Sequence, residues 1–195
     1  MSSMDHRRSR PRTRLRARAE EYLDRAGELF GFSDLRPALL RQALIKARKS
    51  LLLDPRNYDT LVLLGQIYSN FDDPKSTAQA SRYYDQAITL RPQSPDAYDA
   101  KAGLLMFWLH RPEEAERLAR KALALSVRSG KASESLELRY TTLIDILVGR
   151  KKYAQARWLI RRALRDCPTE LMGDMVEKPL QEIESSSKQK HKGTS

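Results

Sequence analysis

The sequence predicts an all-α protein built from consecutive helix pairs, and three observations carry that expectation. Small residues recur in one pattern at mid-thirties spacing, apolar residues fall at i, i+3, i+4 and i+7, and no segment sustains the alternation of a strand. The recurring pattern is a small residue, a second small residue seven positions on, an aliphatic residue next, and proline twelve positions from the start. It reads Ala43, Ser50, Leu51, Pro55; then Ala80, Ala87, Ile88, Pro92; then Ala115, Ala122, Leu123, with Val127 in place of proline; then Ala156, Ala163, Leu164, Pro168. The leading alanines are 37, 35 and 41 residues apart. Small residues seven apart share one helix face and admit a neighbouring helix, and the closing proline cannot continue a helix.

Each of these helices follows another. The first of them lies in YLDRAGELF (22–30), where Tyr22 precedes Ala26 and Gly27. In YDTLVLLGQIY, Leu61, Leu64, Gly65 and Tyr68 form one amphipathic face with a small residue at its centre. YDAKAGLLMF (98–107) repeats the tyrosine with Ala102 and Gly103, and LRYTTLIDIL (138–147) keeps Tyr140 but carries Leu143 and Ile144 in place of the small pair. The second helices open with Pro37, Pro74 and Pro112, tolerated there because first-turn amides have no intrahelical acceptor. Leu171–Glu184, with Met172, Met175, Val176, Leu180 and Ile183, reads as a short capping helix or as helices broken at Pro179.

These residues resemble the tetratricopeptide repeat, a helix–turn–helix unit of about 34 residues. The match covers most of residues 14–168 and is clearest over 56–92 and 95–127. The second copy holds nearly the whole pattern in Leu61, Leu64, Gly65, Tyr68, Ala80, Tyr84, Ala87 and Pro92. Departures are extra residues around Asp72–Ser76, a long link at Gly31–Arg36 and an insertion near Ser126–Glu134, read as a longer second helix or a loop. The resemblance implies a right-handed α-solenoid of antiparallel helix pairs, about four of them. The expected organisation is a disordered basic tail over 1–13, the repeats over 14–168, a capping segment over 169–184 and a second disordered basic tail over 185–195. A cap is expected because a terminal repeat otherwise exposes its apolar face.

The charge is uneven. Of a net +11 in 195 residues, residues 1–18 hold +6, with seven arginines against Asp5, and the last eleven hold +3, leaving the body nearly neutral. Both ends are polar and self-repelling. The arginine-rich start fits a solubilising tail, contact with nucleic acid, ribosome or anionic membrane, or a targeting signal. The longest apolar run, Leu104–Leu109, is far short of a transmembrane span, and no secretory leader is expected. The single cysteine permits no internal disulfide, so an intracellular, cytoplasmic setting is expected, or nucleus or organelle in a eukaryote.

Catalytic constellations are sparse. His6, His110 and His191 fall in a tail, a turn and a tail without helical ligand partners. Cys167 reads as small filler rather than a nucleophile. Glu113, Glu114 and Glu116 open a helix, and Asp72 and Asp73 precede Pro74 as caps. No enzyme activity, metal site or cofactor is expected.

Two surfaces remain. In the resembled family the first helix of each pair lines a concave, peptide-binding face. Carried over, that face implies Asp59, Val62, Gln66 and Ser69; then Asp99, Gly103 and Met106 with Phe107 at the edge, in a copy whose phase is open by one residue; then Thr141, Asp145 and Val148. Members that grip acidic chaperone C-termini use lysine, arginine and asparagine there. Those types are missing here, so a basic or amphipathic protein segment is the expected partner. LLMFWL (104–109) is apolar around the whole helix; burial explains it, and so does an anchor role for Met106, Phe107 or Trp108. The other surface is basic: Arg150, Lys151, Lys152, Arg157, Arg161, Arg162 and Arg165 with no acid between Gly149 and Arg165. The expected function is a non-enzymatic adaptor or scaffold. Alternatives are a nucleic-acid- or ribosome-associated protein using the basic regions, and a small secretion chaperone.

Overall fold

The computed structural model describes residues 5–28, 35–71, 73–129 and 134–192. Among them every regular element is an α-helix. They are α1 (Asp5–Glu28), α2 (Leu35–Leu53), α3 (Tyr58–Ser69), α4 (Pro74–Leu90), α5 (Asp96–Phe107), α6 (Pro112–Ser129), α7 (Glu134–Gly149), α8 (Tyr153–Asp166) and α9 (Glu170–Lys192). The chain divides into two compact units, 1–100 and 101–195, with the boundary inside α5. Asp72, residues 31–34 of the first link and residues 130–133 of the insertion lie outside the described residues.

In the first unit α1 packs on α2 and α3 on α4, with α2 also against α3. Small residues make this possible: Ala43 and Ala47 of α2 and Ala80 and Ala87 of α4 are fully buried. Gly65 has the same role at closest range, because a β-carbon there would stand 2.3 Å from the Tyr84 ring. Helix starts are locally encoded. Asn57 accepts from the Thr60 amide at 2.9 Å and Asp73 from the Ser76 amide at 2.9 Å, with Pro74 at the first turn of α4. The Tyr58 hydroxyl accepts from the Ala97 amide at 3.1 Å, tying α3 to the start of α5.

The arginine-rich segment is helical backbone from Asp5 onward, where a disordered tail is expected, and α9 likewise continues as helix to Lys192. The arginines at 12, 14, 16 and 18 fall on two sides of α1. Arg12 donates to Asp54 at 2.7 Å and Arg16 to Asp59 at 2.6 Å, whereas Arg14 and Arg18 face water.

In the second unit Ala102 and Leu105 of α5 share a core with Ala115, Ala119 and Leu123 of α6, Tyr140, Leu143, Ile144 and Leu147 of α7, and Ala156, Ile160 and Ala163 of α8. The insertion before the fourth pair is taken up partly by α6, which continues to Ser129. The α7–α8 turn closes with Lys151 in the left-handed region (φ 57°), its amide on Val148 O at 2.7 Å and the Lys152 amide on Leu147 O at 2.8 Å. That pair of bonds satisfies the last carbonyls of α7. α9 is one helix through Pro179, correcting the alternative of a break there. Met172, Val176 and Ile183 bury one of its faces against α7 and α8, so packing outweighs the one intrahelical bond that proline removes.

Candidate interaction groove

The C-terminal end of α5, the last two turns of α7 and the middle of α9 enclose a groove of about 460 Å³. Its lining is helical in origin. Asp145, Val148 and Gly149 are spaced i, i+3, i+4 on α7, Met175, Lys178, Pro179 and Glu182 are spaced i, i+3, i+4, i+7 on α9, and Met106 and Phe107 complete it from α5. Gly149 lies against Met106, since a β-carbon there would sit 2.5 Å from its Cε and displace the end of that side chain. Met106, Phe107, Val148, Met175 and Pro179 make the groove mostly apolar. Its charges are Asp145, Lys178 and Glu182, none of them in an ion pair among the described residues. Desolvation in the groove holds the Asp145 carboxyl above its ordinary range; the Lys178 ammonium works against that shift and the Glu182 carboxylate adds to it.

Met106, Phe107 and Asp145 are therefore brought together. Leu104 and Leu105 are buried and Met106 and Leu109 pack against the core, whereas Phe107 is 59% and Trp108 44% exposed, so burial accounts for only part of LLMFWL. Of the three anchor candidates, Met106 and Phe107 line the groove.

The other implied inner-face residues are placed differently. Asp59 and Gln66 are exposed on α3, Ser69 is half-buried, and Val62 is buried. Asp59 is already held by Arg16, with Arg91 at 3.9 Å. Asp99 is buried in the first unit, and the exposed line of α5 runs through Asp96 and Phe107 instead, which resolves the one-residue phase. Thr141 is buried, its hydroxyl donating to Leu138 O at 2.8 Å. Val62, Asp99 and Thr141 are thus largely covered by their neighbours, which follows from where each helix turns its apolar stripe.

The basic surface also narrows. Arg150 donates to Glu116 at 2.5 Å and to Glu113 at 2.9 Å, Lys152 to Glu116 at 2.8 Å, and Arg120 reaches the same carboxylate at 2.8 Å. Glu116 is thus a nearly buried hub for three cations, not the solvated helix-start carboxylate its position suggests. Its burial opposes ionisation, but the hydrogen bonds from Lys152 and Arg120 outweigh it and hold the carboxyl below its ordinary range. Arg162 pairs with Asp166 at 3.3 Å. Lys151, Arg157, Arg161 and Arg165 remain exposed.

Cys167 is buried at the end of α8, where desolvation first, then Glu137 and Asp166, push its thiol up, away from the thiolate. Among the described residues no three His, Cys, Asp or Glu side chains are grouped to hold a metal ion, and no helix is long and apolar enough to cross a membrane.

Two features are not legible in the sequence, the α9 wall of the groove and the Glu116 hub outside it. The α9 residues are invisible there because their facing partners on α7 are some thirty residues away in sequence. The Glu116 hub carries one weak signal, an acid followed by Arg120 one turn later.

No family model matches the sequence, and no curated protein matches it significantly. Solved structures do match. A thermophilic TPR protein of Thermus thermophilus superimposes with a TM-score of 0.64 at 17% identity, over 85% of this chain and 81% of that one. PilW, a type IV pilus biogenesis factor, gives 0.58 at 18% identity, over 87% and 78%. PilF of Pseudomonas aeruginosa gives 0.59 at 18% identity, over 89% and 74%. With all-α architecture, sequential helix pairs, and the small residues of the repeat buried at the helix contacts, the chain has the tetratricopeptide-repeat fold.

Proposed function

We propose that this protein is a non-enzymatic adaptor that holds a protein segment in the groove formed by α5, α7 and α9. The observation that carries the reading is that groove itself: about 460 Å³, lined by Met106, Phe107, Val148, Met175 and Pro179, with the charges of Asp145, Lys178 and Glu182 at its wall. Methionines repack around differing side chains, and an exposed phenylalanine supplies an anchor contact. Two carboxylates against one ammonium select a basic or amphipathic segment, and the Asp145 carboxyl, raised by desolvation, gains most from an incoming cation.

The test is calorimetric titration of the full chain with a helical peptide carrying leucines at i, i+4 and i+7 and flanking lysines. Asp145→Lys with Glu182→Lys should weaken it at least tenfold while helicity is retained, and Phe107→Ala should weaken it without altering salt dependence. Equal affinity for an acidic version of the peptide, or indifference to both variants, overturns the reading. Asp99 is no part of this test, because reversing a buried charge would unfold the first unit.

A further inference from the structure

The outer face of α8 is a second surface that the groove does not use. Ala156, Leu159, Ile160 and Ala163 are its buried stripe. Arg157, Arg161 and Arg165 therefore come round together on the far side, rising about 6 Å per step. All three are exposed, and Arg157 and Arg161 are in no ion pair among the described residues. Asp166, next to Arg165 in sequence, is hydrogen-bonded by the Tyr140 hydroxyl and by Arg162, and these bonds, with the Arg165 charge, hold it below its ordinary range. Three guanidinium groups spaced i, i+4 repel one another, so a polyanion laid across them is favoured electrostatically.

Trp158 stands in the same strip, 59% exposed although apolar neighbours on both sides of it in sequence reach the core. The Arg162 guanidinium lies 5.7 Å from the indole centroid and braces the ring. Next to the indole opens a shallow cavity of about 280 Å³, walled by Leu147, Ala154 and Leu159. At its rim Arg120 donates to the Gln155 carbonyl at 2.8 Å, which leaves the amide nitrogen as the group able to donate outward.

We propose that this face binds single-stranded nucleic acid, with Arg157, Arg161 and Arg165 tracking phosphates and Trp158 stacking on a base beside the cavity. A single strand carries charge beside planar rings, and this face sets one exposed indole beside three guanidinium groups. A duplex hides its base faces from an indole, and an acidic peptide has carboxylates without rings in register. A lipid surface would call for more exposed apolar area than one indole provides.

The test uses the intact chain and a fluorescein-labelled single-stranded RNA of about 12 nucleotides, followed by anisotropy in 50 and 200 mM salt. Three phosphate contacts on a single strand predict an affinity loss of about 20-fold across that range. Trp158→Ala should weaken binding about tenfold, and Trp158→Phe should recover most of it. Replacing Arg157, Arg161 and Arg165 together by alanine should weaken binding and flatten the salt dependence. The circular dichroism spectra should be unchanged, since all four side chains are exposed. The tryptophan arm separates this face from the basic chain ends, which carry charge but no such ring. Undiminished binding by Trp158→Ala, a glutamate-rich peptide or a duplex that competes as well as the single strand, or no binding in 50 mM salt overturns the proposal.

Discussion

Gly65→Ala isolates the contact on which the second helix pair is built. A β-carbon at residue 65 would lie 2.3, 2.6 and 2.7 Å from Cε1, Cδ1 and Cζ of Tyr84, so the ring must retreat by about 1 Å to regain ordinary contact. Tyr84 is 1% exposed and has no room to do so without displacing its own neighbours. Overpacking of this kind costs at the upper end about 3 kcal/mol. Against it stands the helix preference of alanine over glycine, about 1 kcal/mol, leaving a net loss of about 2 kcal/mol. The corresponding fall in Tm is about 4–8 °C, measured by thermal and urea unfolding with circular dichroism. The companion experiment is Tyr84→Leu, which opens the space: in that background Gly65→Ala should become stabilising by up to about 1 kcal/mol. A neutral or stabilised single variant would show that the close approach is not what demands glycine, and a double mutant as unstable as the sum of the two would refute the pairing.

Acid should act through Glu116. Its folded carboxyl lies below the ordinary value of 4.5, so its contribution is fully present above that value and is lost as pH falls through the lower folded one. The urea midpoint of the wild type should therefore fall more steeply toward low pH than that of Glu116→Gln, and parallel slopes would remove the hub from the account. Cys167→Ala should leave binding of the basic helical peptide unchanged, because the thiol is buried and held protonated; loss of binding in a folded variant would assign it a role.

Local chemistry is what the sequence by itself determined. Helix existence, helix pairing and turn placement follow from residues within about one repeat of each other: a small residue seven positions from the next, proline at a helix start, Asn57 and Asp73 as caps. Ala80, Ala87, Ala115 and Ala122 are buried for the reason their spacing implies. Only the tertiary structure decided which side of α5 meets solvent. A one-residue change of phase turns a helix by about 100°, enough to send Asp99 inward and leave Phe107 at the surface. Charge was equally illegible. Arg150, Lys152 and Glu116, or Arg16 and Asp59, look like free charges until folding brings residues 34 to 43 positions apart within hydrogen-bonding distance. The groove belongs to the same class. Its α7 and α9 walls are each ordinary amphipathic helices, and their meeting around Met106 is a property of packing, which sequence spacing does not encode.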